Sequence, residues 1–465
     1  MESNFRGSRP ARGRCAHRAG ATDARTAHGG AGCGGAVTFS LALTLYRTLS
    51  WIAGAGAGAW LDARARRGKE DATRIGERYA RYTHARAPGT LIWLHAASIG
   101  ESGVALTLIE ALGKRDARLS FLLSTGTRTS AELVGRRALP RTTHVYAPLD
   151  RPDVVRRFFT HWRPDLGVFV ESEVWPNLIL EAQARRVPLA LVNARMSPKS
   201  LAQWKSLPAA ARRLLSGFAF VSAADARTAA ALSELRGAPV QALGNLKLAA
   251  PAPRIDARAR AELAADIGGR AVWLAASTHA GEEEIALAAH ARLRRDIPDA
   301  LLLLVPRHPE RGENIAQLAG GAPRRSQGER VGAASVYVAD TLGELGVFYD
   351  LAPVALVAGS LLPHLKGHNP VEPAKAGSAM ITGPYVESFQ DLFDALFAAG
   401  GAVTARDAEE LAAAVALLWR DEGMCARQIE AARAVTAKGA EAAEQTLTAL
   451  QSLLPASIEA VNASA

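Results

Sequence analysis

A carboxylate at the carboxyl end of a buried strand can take a proton from a bound hydroxyl, and one stretch of this chain offers that arrangement. Leu91-Ile92-Trp93-Leu94-His95 is an apolar run, followed by Ala96-Ala97-Ser98-Ile99-Gly100-Glu101-Ser102. Gly100 would permit a tight turn there, and burial or a neighbouring helix would tune the pKa of Glu101 for general-base work. The same place suits a Glu that only favours the N-terminus of a helix over 103–112, and position alone favours that cap. A second stretch is directed at anions. The apolar run 354–358 ends in Gly359-Ser360, and Gly367-His368-Asn369-Pro370-Val371-Glu372 comes where a helix over 371–377 should start. Helix N-termini carry free N–H groups and partial positive charge, so they bind phosphate, and a Glu in the first turn can accept from ribose hydroxyls. The segment suits a nucleotide, or an ordinary strand–loop–helix with a capped end.

Further polar residues follow other apolar runs. Glu171-Ser172-Glu173-Val174-Trp175-Pro176-Asn177 could hold a hydroxyl- or amino-rich ligand, although Glu173, Trp175 and Asn177 fit loop support better. Arg195 presents a planar fork suited to carboxylate or phosphate, and Lys247 could add a second cation; either could be a salt-bridge partner instead. Ser277-Thr278-His279-Ala280-Gly281-Glu282 has the make-up of a phosphate-facing turn, and in Pro306-Arg307-His308 the guanidinium could clamp an anion. His279, His308, His364 and His368 raise the question of a metal, but no Asp, Glu or Cys partner completes a ligand pattern. Neither a metal nor another cofactor is expected.

Such residues need a scaffold. From Thr90 onward buried strands (91–95, 119–124, 144–146, 166–170, 189–193) alternate with helices, loosen over 246–255 around Pro251 and Pro253, and restart at 272–276 and 301–305. This alternation implies an α/β fold of doubly wound parallel sheets, with ligands at the carboxyl ends of the strands. Two Rossmann-like halves, 74–245 and 259–452, joined by a linker at 246–258, make the GT-B plan with a cleft between them. The 465 residues, 49% hydrophobic and 22% charged, suffice for two or three globular domains. A net charge of +10 favours anionic lipid or phosphorylated substrates. Nucleic acid is not expected as a partner, since no helix-turn-helix, zinc knuckle or aromatic–basic platform is present. Cys15, Cys33 and Cys425 are too scattered for a disulfide framework.

Residues 1–36, rich in Arg, Gly and Ala, read as disordered. The stretch 37–61 is apolar apart from Arg47, and at about 1.5 Å per residue it would cross a hydrocarbon core of about 30 Å. We expect a membrane-anchor helix there; Arg47 argues equally for a helix in the interface with that side chain snorkelling. A signal peptide is a competing reading, opposed by Arg64, Arg66, Arg67, Lys69 and Arg74, because positive flanks stay cytoplasmic.

In this order the motifs resemble those of the Kdo transferases, bacterial enzymes that move 3-deoxy-D-manno-octulosonic acid (Kdo) from CMP-Kdo to a lipid A precursor. The resemblance covers about residues 74–450. Its first half rests on Gly76-Glu77-Arg78, His95 to Glu101, Pro148-Leu149-Asp150, Glu171-x-Glu173-x-Trp175-Pro176-Asn177, Asn193-Ala194-Arg195-x-Ser197 and Gly244-Asn245-Leu246-Lys247. Its second half rests on Ser277-Thr278-His279-x-Gly281-Glu282, Pro306 to Arg311, Asp340-Thr341-x-Gly343-Glu344-Leu345 and Gly367-His368-Asn369-Pro370-x-Glu372. Each motif is weak alone; in series they are strong. The resemblance implies a GT-B enzyme anchored to the inner membrane on its cytoplasmic face, with an acceptor domain first and a CMP-Kdo domain second. It implies inversion at the anomeric carbon and makes Glu101 the base rather than a cap.

CMP-Kdo would lie against Pro306, Arg307, Leu342, Gly343, Glu344, Asn369, Pro370, Val371 and Glu372. Ser98, Gly100, Arg195, Lys247, Thr278, His279 and His308 are further cleft candidates, Arg195 and Lys247 for a substrate carboxylate or phosphate. Some positions depart from the family. Lys366 replaces the first Gly of Gly-Gly-His-Asn and would be strained if that position needs positive φ. Thr127-Arg128-Thr129-Ser130 stands for Thr-Pro-Thr-Gly, and Ala249-Ala250 for Phe-Asp. The family's anchor starts almost at its first residue, so 1–36 is expected to be a misassigned extension. The alternative function is another GT-B transferase using a UDP-sugar on a membrane lipid. A catalytically dead scaffold is opposed by retention of Glu101 and the donor-side set.

Overall fold

The computed structural model describes residues 40–54 and 56–455, so the segment 1–36 lies outside the described residues. The apolar runs form strands buried on both faces, as parallel sheets flanked by helices require. The first sheet contains β1 (Leu91–Ala96), β2 (Ser120–Thr125), β3 (Thr142–Tyr146), β4 (Leu166–Val170), β5 (Leu189–Ala194), β6 (Phe220–Ala223) and β7 (Gln241–Ala242). Its spatial order is β3-β2-β1-β4-β5-β6-β7. The second contains β8 (Val272–Thr278), β9 (Leu301–Pro306), β10 (Val336–Val338), β11 (Val354–Val357), β12 (Ala379–Thr382) and β13 (Ala402–Thr404), ordered β10-β9-β8-β11-β12-β13. Both are doubly wound and Rossmann-like. In each, strand order reverses beside the first strand, at β1/β4 and β8/β11, and the loops that leave those ends carry most of the candidate residues.

The linker opens with a single 3-10 turn, Leu246–Ala249, and the last helix, Glu422–Ser452, crosses it. Gly439 makes this crossing possible, because a Cβ there would lie 2.4 Å from Cβ of Leu248. Before the crossing, Ala432 and Val435 pack with residues of the second half such as Met380 and Phe393; beyond it, Ala442, Leu447 and Leu450 enter the core of the first.

The N-terminal expectation needs correction. Among the described residues, the stretch 37–61 holds no single spanning helix. Helices Leu41–Ala53 and Ala57–Arg66 have 13 and 10 residues, and no helix among the described residues is long and apolar enough to cross a membrane. Glycines in the run 53–56 weaken the helix, and the first helix ends where Arg151 Nη1 donates to the Gly54 carbonyl at 3.1 Å. Leu43 is buried, Tyr46 Oη donates to Asp150 Oδ2 at 2.9 Å, and Asn177 Nδ2 donates to Ser50 Oγ at 3.0 Å. Asp150 also accepts from the Asn177 and Leu178 N–H groups at 3.1 and 2.9 Å. The Pro-Leu-Asp and Trp-Pro-Asn motifs therefore form the dock for this helix. Its outer face leaves Leu41, Leu45, Leu49 and Ile52 exposed.

Candidate functional site

Glu101 lies inside a helix, Ile99–Arg115, that starts earlier than its apolar pattern suggested. Ser98 caps it: Ser98 Oγ accepts from the Glu101 N–H at 3.3 Å and donates to Glu101 Oε1 at 2.7 Å. The Ala97 N–H donates to Oε2, also at 2.7 Å. Only 7% of Glu101 is exposed. Burial pushes its pKa up, the charges of Glu173 and Glu171 add to this, and the bonds from Ser98 and Ala97 oppose it; the net shift is upward. Each oxygen keeps a lone pair after its single hydrogen bond. Glu101 thus braces the helix start and can still accept a proton, so cap and base do not exclude each other.

Gly100 does not make the expected tight turn. It is helical with no positive φ, and its missing side chain leaves room for Lys247, whose Cε would lie 3.4 Å from a Cβ there. Lys247 Nζ pairs with Glu171 Oε1 at 2.8 Å. Glu171 Oε1 also accepts from Asn193 Nδ2 at 3.2 Å, and Asn193 Oδ1 accepts from the Leu246 N–H at 2.9 Å. Trp175 Nε1 donates to Glu173, and the buried His95 Nε2 faces the same carboxylate at 3.7 Å. Burial would raise the Glu173 pKa, but His95 and Trp175 more than offset it, so its charge persists beside Glu101. Arg195 is also engaged: Nη2 pairs with Asp391 Oδ2, from the other half, at 2.6 Å.

In the second half the loops after β8, β9 and β11 converge. Glu282, fully buried, accepts from the N–H groups of His279, Gly359, Ser360 and Leu361 at 3.1, 2.8, 3.0 and 3.0 Å. The Nε2 atoms of His279 and His368 are 2.9 Å apart, so one ring donates and the other accepts. Burial, then the charges of His279 and Arg307, lower the His368 pKa to about 4; burial also lowers that of His279. Gly359, at φ +74, makes room for the His368 ring, whose Cδ2 would lie 2.5 Å from a Cβ there. Pro306 closes β9, and the Arg307 N–H donates to the Thr278 carbonyl at 3.0 Å. The Arg307 side chain is exposed, with no hydrogen-bond or ion-pair partner among the described residues. His308 is exposed and lies 3.6 Å from Glu310, while the Thr278 hydroxyl is buried without a hydrogen-bond partner among the described residues.

Asn369 Oδ1 accepts from the Val371 N–H at 3.1 Å, Pro370 caps the short helix Val371–Ala376, and Val371 is buried. Glu372 has no hydrogen-bond or ion-pair partner among the described residues. Burial raises its pKa, against the charges of Arg137 and Arg307. Leu342 is exposed and Gly343 has φ +86, but Glu344 is occupied: Arg325 Nη2 pairs with it at 2.7 Å and Thr341 donates to it. Arg325, more than burial, decides its pKa and holds it low. Lys366 does sit at positive φ, +64, so its side chain carries backbone strain there that a glycine would not. The structure thus gathers Ser98, Gly100, Glu101 and Lys247 in one cluster and Thr278, His279, Arg307, His308 and Glu372 in another; Arg195 links the halves.

Sequence reasoning missed the role of Glu282 as a clamp, the pairing of His368 and the part of Asp391. A Glu three residues after His279 was the available sign for the first. Asp391 carries none, since only tertiary folding brings it to Arg195.

Residues 73–250 match the family model described as 3-deoxy-D-manno-octulosonic-acid transferase (kdotransferase). The 3-deoxy-D-manno-octulosonic acid transferase of Bordetella pertussis is 36% identical over 432 residues, spanning 90% of this chain and 99% of that protein. The chain belongs to the Kdo transferase family. It is therefore a glycosyltransferase. The probable mitochondrial 3-deoxy-D-manno-octulosonic acid transferase of Arabidopsis thaliana is 36% identical over 352 residues, 71% of this chain and 77% of that one. A glycosyltransferase from Rickettsia africae, 12% identical with a TM-score of 0.50 over 80% of this Kdo transferase and all of that chain, shares the fold.

Proposed function

We propose that this Kdo transferase moves Kdo from CMP-Kdo to a sugar hydroxyl of a lipid A precursor, inverting the anomeric carbon, with Glu101 as the general base. The observation that carries the reading is Glu101 itself: a buried carboxylate with a raised pKa, held by Ser98 and Ala97, with lone pairs to spare. The acceptor oxygen forms its bond to the anomeric carbon as its proton passes to Glu101. The bond from that carbon to the phosphate oxygen breaks, and the pair leaves with CMP. Positive charge builds on the sugar in the transition state, beside the carboxylates of Glu171 and Glu173, and negative charge builds on CMP. Arg307, exposed and unpaired among the described residues, offsets the latter, and Glu372 accepts from ribose hydroxyls. One departing phosphate needs no metal to neutralise it.

With a lipid acceptor, the enzyme would work at a membrane surface, in this reading the cytoplasmic face of the inner membrane. Leu41, Leu45, Leu49 and Ile52, at helical spacing, present apolar side chains to solvent from a helix fixed on its other face, and Trp51 and Trp60 are exposed nearby. Such a face suits a helix lying in the interface rather than crossing the bilayer. Wild-type protein, supplied with CMP-Kdo generated in situ and a tetra-acylated lipid A precursor, should yield products heavier by whole Kdo units in mass spectra. Glu101→Gln should yield none. Absence of product with folded wild type, while a known transferase works alongside, would reject the reading in favour of a UDP-sugar donor.

A further inference from the structure

The pair that links the two halves is chemically incomplete. Asp391, near the start of helix Gln390–Ala399, places Oδ2 2.6 Å from Arg195 Nη2 and 3.0 Å from Asn245 Nδ2. A carboxylate that fills a guanidinium fork uses both oxygens, one on Nη and one on Nε or the second Nη. Here a single oxygen serves both donors, and Arg195 Nε is buried with no hydrogen-bond partner among the described residues. The fork is therefore half used. The donors are nevertheless set in place. Asn245 Oδ1 accepts from the Lys247 N–H at 3.0 Å, which fixes the amide with Nδ2 outward. Arg195 follows Asn193, whose side chain bridges Glu171 and the Leu246 N–H. The two donors thus flank the network that joins Lys247 and Glu171 beside Glu101.

The resident carboxylate is easy to displace. The Arg195 and Asp391 side chains are 28% and 37% exposed, and partly exposed ion pairs are weak. Asp391 also comes from the donor side: the Ser388 N–H donates to the Lys366 carbonyl at 2.8 Å, so its helix entry is tied to the Lys366–Glu372 loop.

Resting on the proposed donor, we propose that Arg195 and Asn245 form the binding site for the carboxylate of the transferred sugar, and that Asp391 occupies it as a placeholder until donor arrives. Kdo is an ulosonic acid, and its carboxylate is bonded to the anomeric carbon. Gripping that group with Arg195 Nε and Nη2 would fix the reacting carbon relative to Glu101. Asp391 would move aside, and the two halves would be joined through the donor instead of through their own ion pair. A phosphate of the acceptor is the other anion that the fork could take, and the test separates the two.

Steady-state transfer is measured with freshly prepared CMP-Kdo, with CMP as a competitive inhibitor. Arg195→Gln should raise the KM for CMP-Kdo by about tenfold or more, the scale of a lost charge-assisted hydrogen bond. The Ki of CMP, which lacks the carboxylate, and the KM of the acceptor should each stay within about twofold. Asp391→Asn should lower the KM for CMP-Kdo about two- to fivefold by removing the competitor. Equal weakening of CMP and CMP-Kdo, a change confined to the acceptor, or a raised KM in Asp391→Asn would each overturn the assignment. If Arg195→Gln is not folded by calorimetry, Asn245→Ser carries the same comparison. Wild-type turnover of CMP-Kdo is measured first: its absence defeats the donor assignment, whereas turnover with unchanged constants in the variants defeats the carboxylate site alone.

Discussion

Replacing Glu282 by Gln would change one atom in a fully buried site. Its Oε2 accepts from the His279 and Gly359 N–H groups, and its Oε1 from those of Ser360 and Leu361. An amide keeps one oxygen and turns the other into a donor, so two backbone N–H groups lose their acceptor and face an NH2. Hydrogen bonds to a charged group contribute about 1.5–3 kcal/mol each, which puts the loss at about 3–6 kcal/mol. For a half of this size each kcal/mol moves the melting midpoint by about 2–4 °C, so differential scanning calorimetry should show a fall on the order of 10 °C. The same bonds align the loops that carry His279 and His368, so the KM for donor should rise in the protein that remains folded. A midpoint shift below about 2 °C would refute the clamp, because no arrangement of one amide satisfies all these donors.

Four other outcomes can be checked. Because burial and Glu173 raise the pKa of Glu101, the acid limb of the kcat/KM profile should lie above the usual carboxylate value of about 4.3, with activity falling as pH drops through it. Glu173→Gln should move that limb to lower pH; an unmoved limb in a pH–rate titration would remove Glu173 from the account. Lys366→Gly should raise the melting midpoint by about 2–4 °C, since relief of the left-handed backbone is worth about 1 kcal/mol, and a fall would contradict it. His144, His290 and His368 titrate at about 3, 4 and 4 in the fold, against about 6.5 when unfolded. The unfolded chain therefore binds more protons between those values. This stability is complete above about pH 6.5 and is lost as pH falls toward 4; a flat melting curve across that window would exclude it.

The scaffold was legible where burial on both sheet faces forces unbroken apolar runs. β4 was read with its observed bounds, and β1, β8, β9 and β11 to within two residues at each end. β7, two exposed residues at an edge, left no such trace. The helix from Ile99 began early because the Ser98–Glu101 cap depends on side-chain chemistry and not on periodicity. The division of the N-terminal helix was missed for a related reason: apolar content over 37–61 said nothing about the glycines or the Arg151 contact beneath them. Within the candidate site, residue types pointed to anions and protons, but they could not show that Lys247 and Arg195 already hold Glu171 and Asp391. Those pairings join residues far apart in the chain, and no local pattern encodes them.

The helix Glu422–Ser452 belongs to both cores at once, and it touches the linker where Gly439 meets Leu248. Mechanically it is a beam resting on a fulcrum. Since its two arms are held in different cores, any rotation of one half against the other must bend it near the glycine or repack one arm. A bulky side chain at 439 would act as a shim, prying the beam from the linker and changing the angle of approach without touching a single candidate site residue. The second half, cut free, would either carry Ala442, Leu447 and Leu450 as a bare apolar handle or lose the beam's far arm.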